Sequence, residues 1–211
     1  MIACAIRRVS GILHPFRLKK PGVGGVKVKV DSRDVTSTAV FAALYVVINI
    51  VQTVTIGNPT IYGPIQLRLA DFMIALTVLF GWPMIGGVTL GCFLTNAYYF
   101  LGAPDVILGP IANLIAASVV LLLRKRRLLA CIAGALPIGL IVGGELWFFF
   151  SFSPSTGIFG ALPTWAAMIA SITISSLIAV GVIGYIVLSV FSRRRIIEPL
   201  KSLGLKVVSD K

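Results

Sequence analysis

The sequence predicts an all-α, polytopic membrane protein that crosses the bilayer with six transmembrane helices and keeps both termini in the cytoplasm. Hydrophobic residues make up 57% of the 211 residues, and the mean hydropathy is +0.99. Such a composition is typical of a chain whose solvent is largely lipid. Only three charged residues lie between Asp34 and Arg124, and only one lies between Arg127 and Arg193. Long apolar segments separated by charged loops indicate transmembrane helices.

Six apolar windows account for the predicted helices, although the second is short and the sixth is long. A hydrocarbon core of ~30 Å needs about 20 mostly apolar residues in helical form. Glycines and prolines within 57–59, 81–83 and 102–104 mark the ends of windows. Gly81-Trp82-Pro83 predicts either a tight turn or a kink between two shorter pieces. The predicted helices are 35–57, 67–80, 84–101, 105–123, 128–150 and 162–191.

Basic residues set the predicted orientation, because lysine and arginine are retained on the cytoplasmic side of short loops. With six helices, the basic clusters of the amino-terminal tail, Arg124–Arg127 and Arg193–Arg195 all lie inside. The remaining loops carry no Lys or Arg and lie outside: 58–66, 102–104 and 151–163. We therefore expect three regions: a partly disordered cytoplasmic tail 1–34, a six-helix transmembrane domain 35–192, and a basic cytoplasmic tail 193–211.

Composition and motifs argue against several classes of function. The formal net charge is +12, but the basic residues adjoin hydrophobic segments, which indicates membrane topology and no nucleic-acid partner. One His and three separated Cys predict no metal site, and we expect no cofactor. The sequence lacks the GxxxxGKS/T phosphate loop, GxSxG and HExxH motifs. We therefore expect no ATP hydrolysis by this chain alone and no enzyme activity.

The few ionisable and amide residues of the apolar windows are candidate site residues, because charged groups in a bilayer are costly and often functional. In the predicted topology they all fall in the outer third of the membrane. Residues three or four apart share a helix face, as do Arg68 with Asp71, and Asp105 with Gly109 and Asn113. Three carboxylates and one guanidinium favour a ligand with N–H donors or a cationic amine. The candidates are Arg68, Asp71, Asn96, Asp105 and Glu145.

Each candidate also has a structural interpretation. Arg68 and Asp71 can form an ion pair within one helix at the membrane surface, and Asp105 can cap its helix. Asn96 can simply connect two helices by a hydrogen bond. Glu145 lies deeper and has no cation near it in the sequence, which favours a function. Four aromatic residues near the outer boundary either anchor the protein at the interface or stack on a flat ligand: Tyr98, Tyr99, Trp147 and Trp165.

Two pairs of small residues, spaced four apart, allow helices to approach closely. Gly87 and Gly91 are expected to pack inside the bundle. Ala39 and Ala43 form the second pair, in the first predicted helix.

The sequence YGPIQLRLAD at Tyr62–Asp71 resembles the opening of the second helix in the QueT family, the proposed queuosine-precursor transporters. That family has a GPIQxRLSE-like stretch there and usually has Glu at the position of Asp71. The resemblance covers roughly residues 36–190. Three later regions are also similar: the glycine-rich stretch Gly86–Asn96, Asp105 with Gly109, and Pro137–Glu145 with its VGGEL sequence.

This resemblance implies the substrate-binding component of an energy-coupling factor transporter, which captures a micronutrient outside the cell. Import would need a transmembrane coupling protein and two ATPase subunits as partners. Members of this class use an AxxxA-like pattern on the first helix to contact the coupling protein, which implies that role for Ala39 and Ala43. The implied substrate is a 7-deazaguanine such as preQ1 or preQ0. We expect Glu145 and Asp105 to accept its N–H groups, with the rest of the site formed by Gln66, Arg68, Asp71 and Asn96.

Three alternatives stay open. The same fold can capture another vitamin, such as riboflavin, thiamine or biotin. The chain can instead be a membrane-assembly or scaffolding protein whose buried acids only pair helices. A stand-alone secondary transporter is the third alternative, although the two halves show no repeat of the kind found in many such transporters.

Overall fold

The computed structural model describes residues 31–56, 67–150, 162–202, 205 and 207. These residues are almost entirely helical and include no strand, so the all-α prediction is confirmed for this part of the chain. A 3-10 helix, Leu69–Asp71, and a π-helix, Leu177–Gly184, accompany the α-helices. We number the α-helices in chain order: α1 (Ser32–Ile56), α2 (Phe72–Ala75), α3 (Thr77–Phe80), α4 (Trp82–Tyr98), α5 (Ala103–Leu122), α6 (Arg127–Phe150), α7 (Thr164–Ser176), α8 (Tyr185–Phe191) and α9 (Arg194–Ser202).

Four helical segments of the described chain are long and apolar enough to cross a membrane. The 17-residue α4 and the interrupted segment Leu69–Phe80 are shorter, so six spans and the orientation of the termini stay predictions. The predicted tail up to residue 30, the loop 58–66 and most of the loop 151–163 lie outside the described residues. The four segments are Ser32–Thr55, Ala103–Leu122, Arg127–Phe149 and Thr164–Phe191.

The second predicted helix, 67–80, is interrupted. It consists of the 3-10 helix followed by the four-residue helices α2 and α3, which are separated at Leu76. Gly81 ends α3 with a φ of 65°, a left-handed conformation that glycine adopts without strain from a Cβ. Pro83 lies in the first turn of α4, where its missing N–H is not needed. Gly81-Trp82-Pro83 is therefore the tight turn that joins α3 to α4.

This interrupted segment lies in the interior of the bundle. Every side chain from Met73 to Phe80 is buried, whereas the long helices expose many apolar side chains. Non-helical backbone at membrane depth is tolerated only where protein or a polar cavity surrounds it. The burial of this segment carries Asp71, at its start, into the protein interior.

Helix α1 packs against α4 through two glycines. A Cβ at Gly91 would lie 2.7 Å from Tyr45 Cβ and 3.0 Å from the Ala42 carbonyl oxygen. A Cβ at Gly87 would meet the same helix one turn earlier. The expectation that Gly87 and Gly91 pack inside the bundle is confirmed.

We expect Gly91→Ala to lower the free energy of unfolding by about 1–3 kcal/mol, because the added Cβ overlaps atoms of α1. Gly144→Ala is the matched control, since a Cβ there meets no atom within 4 Å. Alanine favours a helix over glycine by about 0.5–1 kcal/mol, so the control is expected to be neutral or stabilising. Thermal unfolding of both purified variants in one detergent measures the difference. Equal stability of the two variants would contradict the close packing of α1 on α4.

Candidate functional site

Arg68 precedes the 3-10 helix and reaches toward α4 and α5. Its Nη2 lies 3.8 Å from Asp105 Oδ1, and its Nη1 lies 3.8 Å from the Cys92 sulfur. The distance to Asp105 exceeds the ~2.7–2.9 Å of a strong charge-assisted hydrogen bond, and the thiol sulfur of Cys92 is a weak acceptor. The Arg68 side chain is 18% exposed, whereas the Asp105 side chain is 5% exposed. The guanidinium therefore keeps donor capacity for a further acceptor.

A polar cleft lies beside Arg68. The empty space in and around it is about 300 Å³, which includes the open mouth and adjoining solvent. Asn96 is fixed in its wall, because its Nδ2 donates to the backbone oxygen of Asp105 at 2.9 Å. The lining is mostly polar, so its side chains can make hydrogen bonds to a bound molecule. The lining residues are Asn49, Thr53, Arg68, Thr95, Asn96, Tyr99 and Asp105.

Gly109 brings α5 close to the Asn96 amide. A Cβ at Gly109 would overlap Asn96 Nδ2, so a larger residue there must displace the amide. Asp105 lines the first cleft, while Gly109 and Asn113 line a second one. These three residues share one face of α5 and line the two clefts, and their role in ligand binding stays a prediction.

The second cleft also has Arg68 in its wall and contains about 310 Å³ of empty space, counting its mouth. A buried hydrogen-bond network stands at its polar side. Tyr45 Oη donates to Asp71 Oδ1 at 2.6 Å, and Asn113 Nδ2 donates to Tyr45 Oη at 3.1 Å. The network joins α1, the 3-10 helix and α5, which fixes the Asp71 carboxylate. The lining residues are Arg68, Asp71, Gly109, Asn113, Ile138, Val142, Ile172 and Ser176.

Glu145 of α6 is buried, and its carboxylate has no hydrogen-bond partner among the residues that the structure describes. It is 3% exposed, and neither Oε1 nor Oε2 meets a donor in the described part of the chain. Helical spacing puts it on the same face of α6 as Ile138 and Val142, which line the second cleft. It also lies close enough to Asp105 and Arg68 to interact electrostatically with both. A buried carboxylate is costly unless donors or a cation compensate it, so Glu145 is the clearest indication of a ligand site here.

The structure corrects two interpretations of the sequence. Arg68 forms its ion pair with Asp105 of α5, and no ion pair between Arg68 and Asp71 is found among the described residues. The interpretation of Arg68 and Asp71 as an ion pair within one helix is therefore wrong. Asp105 is not the cap of α5, because that helix already begins at Ala103. The structural interpretation of Asn96 is confirmed, since this residue connects two helices. It also lines the first cleft, and its functional role stays a prediction. Gln66 lies outside the described residues.

Tyr45 is the residue of this site that sequence reasoning missed. A signal was present, because a tyrosine inside an apolar helix needs a partner for its hydroxyl. Among the four aromatic residues considered for stacking, Tyr99 lines the first cleft. The other three are exposed: Tyr98, Trp147 and Trp165.

These features define a class of protein, a multi-pass helical membrane protein with polar clefts and a buried carboxylate that meets no hydrogen-bond donor in the described helices. The model of the QueT transporter family matches residues 35–193, and the chain belongs to this family. No curated protein and no solved structure matches the chain. The predicted family, the membrane location and the transport role are thus confirmed. A transporter family is also consistent with the expectation that the chain is not an enzyme.

Proposed function

We propose that this protein captures a 7-deazaguanine queuosine precursor, preQ1 or preQ0, as the substrate-binding component of an energy-coupling factor importer. The family supports the transport of such a substrate. The observation that carries the proposal is the buried Glu145 carboxylate, with two acceptor atoms that meet no donor in the described residues. The two clefts that share Arg68 offer space next to polar groups on several helices.

The charges of the site favour a ligand with a cationic arm. Three carboxylates, those of Asp71, Asp105 and Glu145, stand against the single guanidinium of Arg68. The aminomethyl cation of preQ1 would compensate one carboxylate, and the 2-amino-pyrimidinone edge offers parallel N–H donors to another. The uncharged preQ0 offers only the second interaction. We therefore favour preQ1 over preQ0.

Within this proposal, Glu145 and Asp105 are the acceptors. Asp105 becomes available because its 3.8 Å pair with Arg68 is long and easily replaced by a closer donor. Asn96 and Tyr99 shape the first cleft, where the Tyr99 ring offers a face to a flat base.

For energy coupling, we propose that Ala39 and Ala43 contact a transmembrane coupling protein, which in turn binds two ATPase subunits. Both alanines are exposed on α1, whereas Phe41, Ala42 and Tyr45, which meet α4, are buried. Small exposed residues let a second helix approach closely within a membrane. The proposal includes six spans, termini in the cytoplasm and capture from outside. Uptake that persists without ATPase subunits would instead favour a stand-alone transporter.

The test is direct binding to the purified full-length protein in detergent. We expect preQ1 to be retained more tightly than preQ0, riboflavin, thiamine and biotin, as measured with radiolabelled ligands. Thermal unfolding gives an independent readout, since a ligand at 100 times its Kd adds about 2.7 kcal/mol of stability. Retention of preQ1 no better than that of the vitamins would contradict the proposed substrate.

A further inference from the structure

One end of the bundle gathers basic side chains from two distant parts of the chain. Arg127 Nη1 donates to Ser192 Oγ at 3.0 Å, which joins the Arg124–Arg127 loop to the segment before α9. The loop connects two helices of membrane length, and Ser192 directly follows a third. Both segments therefore lie where the chain leaves the apolar layer. We call these residues the basic rim: Arg124, Lys125, Arg126, Arg127, Arg193, Arg194, Arg195 and Lys201.

Helix α9 turns its charges away from the bundle. Ile197 and Leu200 pack against the hydrophobic core, whereas Arg194, Arg195 and Lys201 are exposed. Past the helix, two further apolar residues, Leu205 and Val207, also pack on the core. The helix is thus held on the bundle by its apolar side and presents cations outward.

Exposed leucines lie immediately next to the loop of the basic rim. Leu122 is 82% exposed, and Leu123, Leu128 and Leu129 are also exposed. Exposed apolar side chains next to cations can contact both parts of a phospholipid, because the leucines meet the acyl chains and the cations meet the phosphate of the headgroup. The acidic surface of a soluble protein matches only the cations. The combination therefore favours lipid over a soluble acidic partner.

We propose that the basic rim binds the headgroups of anionic phospholipids in the adjoining leaflet. Six of its eight members are arginine, and guanidinium groups bind phosphate oxygens in bidentate fashion. The two lysines, Lys125 and Lys201, add positive charge. Each Lys or Arg near an anionic membrane surface adds about 1 kcal/mol, or roughly fivefold in affinity. The basic rim shares no residue with the two polar clefts, so this proposal does not depend on which substrate is transported.

Glu198 is the one acidic residue between positions 193 and 201, so the rim is strongly cationic.

Native mass spectrometry of the full-length protein in a neutral detergent tests this proposal. The protein is offered equal amounts of a phosphatidylglycerol and a phosphatidylcholine with the same acyl chains. We expect preferential retention of phosphatidylglycerol, and a preference that weakens as salt is added. Replacing four rim residues with alanine should reduce the preference by more than tenfold, while the Arg127–Ser192 bond stays intact. The four changes are Lys125→Ala, Arg126→Ala, Arg194→Ala and Arg195→Ala.

The matched control keeps every charge and exchanges the residue types at the same four positions, with Lys125→Arg, Arg126→Lys, Arg194→Lys and Arg195→Lys. It should retain the preference for phosphatidylglycerol. Equal retention of the two lipids by the native protein, or an unchanged preference in the alanine variant, would overturn the proposal. Displacement of phosphatidylglycerol by soluble polyglutamate at equal charge concentration would assign the surface to an acidic polypeptide instead. The comparison of the two lipids on the native chain decides the matter even if the alanine variant does not fold.

Discussion

Glu145→Gln is expected to weaken preQ1 binding by roughly tenfold to 150-fold and to leave the ligand-free protein at least as stable as the native chain. Glutamine keeps the shape of the side chain but removes its charge. The lost charge-assisted hydrogen bond is worth about 1.5–3 kcal/mol, which corresponds to that range of affinity. Stability should not fall, because the 3% exposed carboxylate has no hydrogen-bond partner within the described residues.

This combination of results separates ligand capture from a scaffolding role. If Glu145 only paired helices, its replacement would lower the melting temperature, and no preQ1 binding would exist to be lost. Thermal unfolding of the ligand-free protein and retention of radiolabelled preQ1 measure the two quantities separately. Glu198→Gln is the matched control, because it makes the same chemical change at an exposed position on α9. A less stable Glu145→Gln variant that binds preQ1 normally would contradict the proposed role of this carboxylate.

The long helices could be predicted closely because apolar length alone nearly decides them. The window 128–150 corresponds to α6, Arg127–Phe150, for example. The prediction of a single helix over 67–80 was wrong, because two short helices are separated at Leu76. No Gly or Pro at that position indicates the break in the sequence. The break depends on how the segment is buried within the bundle, which cannot be predicted from a local sequence pattern. The π-helix Leu177–Gly184 likewise has no local signal that separates it from an α-helix.

The candidate site was predictable only in part. The cost of placing charges in a bilayer identified Arg68, Asp105 and Glu145 as candidates. Their partners were not predictable, because a spacing of three residues suggests that Arg68 meets Asp71 only if both lie on one regular helix. Arg68 instead precedes a 3-10 turn, and its side chain meets Asp105. Tyr45 was missed because its role depends on contacts with two other elements of the bundle.

Arg68→Met is expected to be the most destabilising single substitution in the site, lowering the free energy of unfolding by about 3 kcal/mol. Methionine keeps much of the length of the side chain but removes the cation. The Asp105 carboxylate, 5% exposed, would then be buried without the positive charge that now lies 3.8 Å away. Removing one partner of a buried pair costs more than the pair itself contributes, because the other charge stays uncompensated. Thermal unfolding in detergent measures this loss.

Adding Asp105→Asn to Arg68→Met tests whether that loss is electrostatic. With neither charge present, the double variant should recover most of the stability, with an interaction energy of about 1–3 kcal/mol between the two sites. Binding of preQ1 should stay weak, because Asp105 is a proposed acceptor for the ligand. Unfolding of the native protein, both single variants and the double variant completes the cycle. Strictly additive losses would mean that the 3.8 Å ion pair contributes nothing to the free energy of unfolding. Arg68 would then contribute to the site only by binding the ligand.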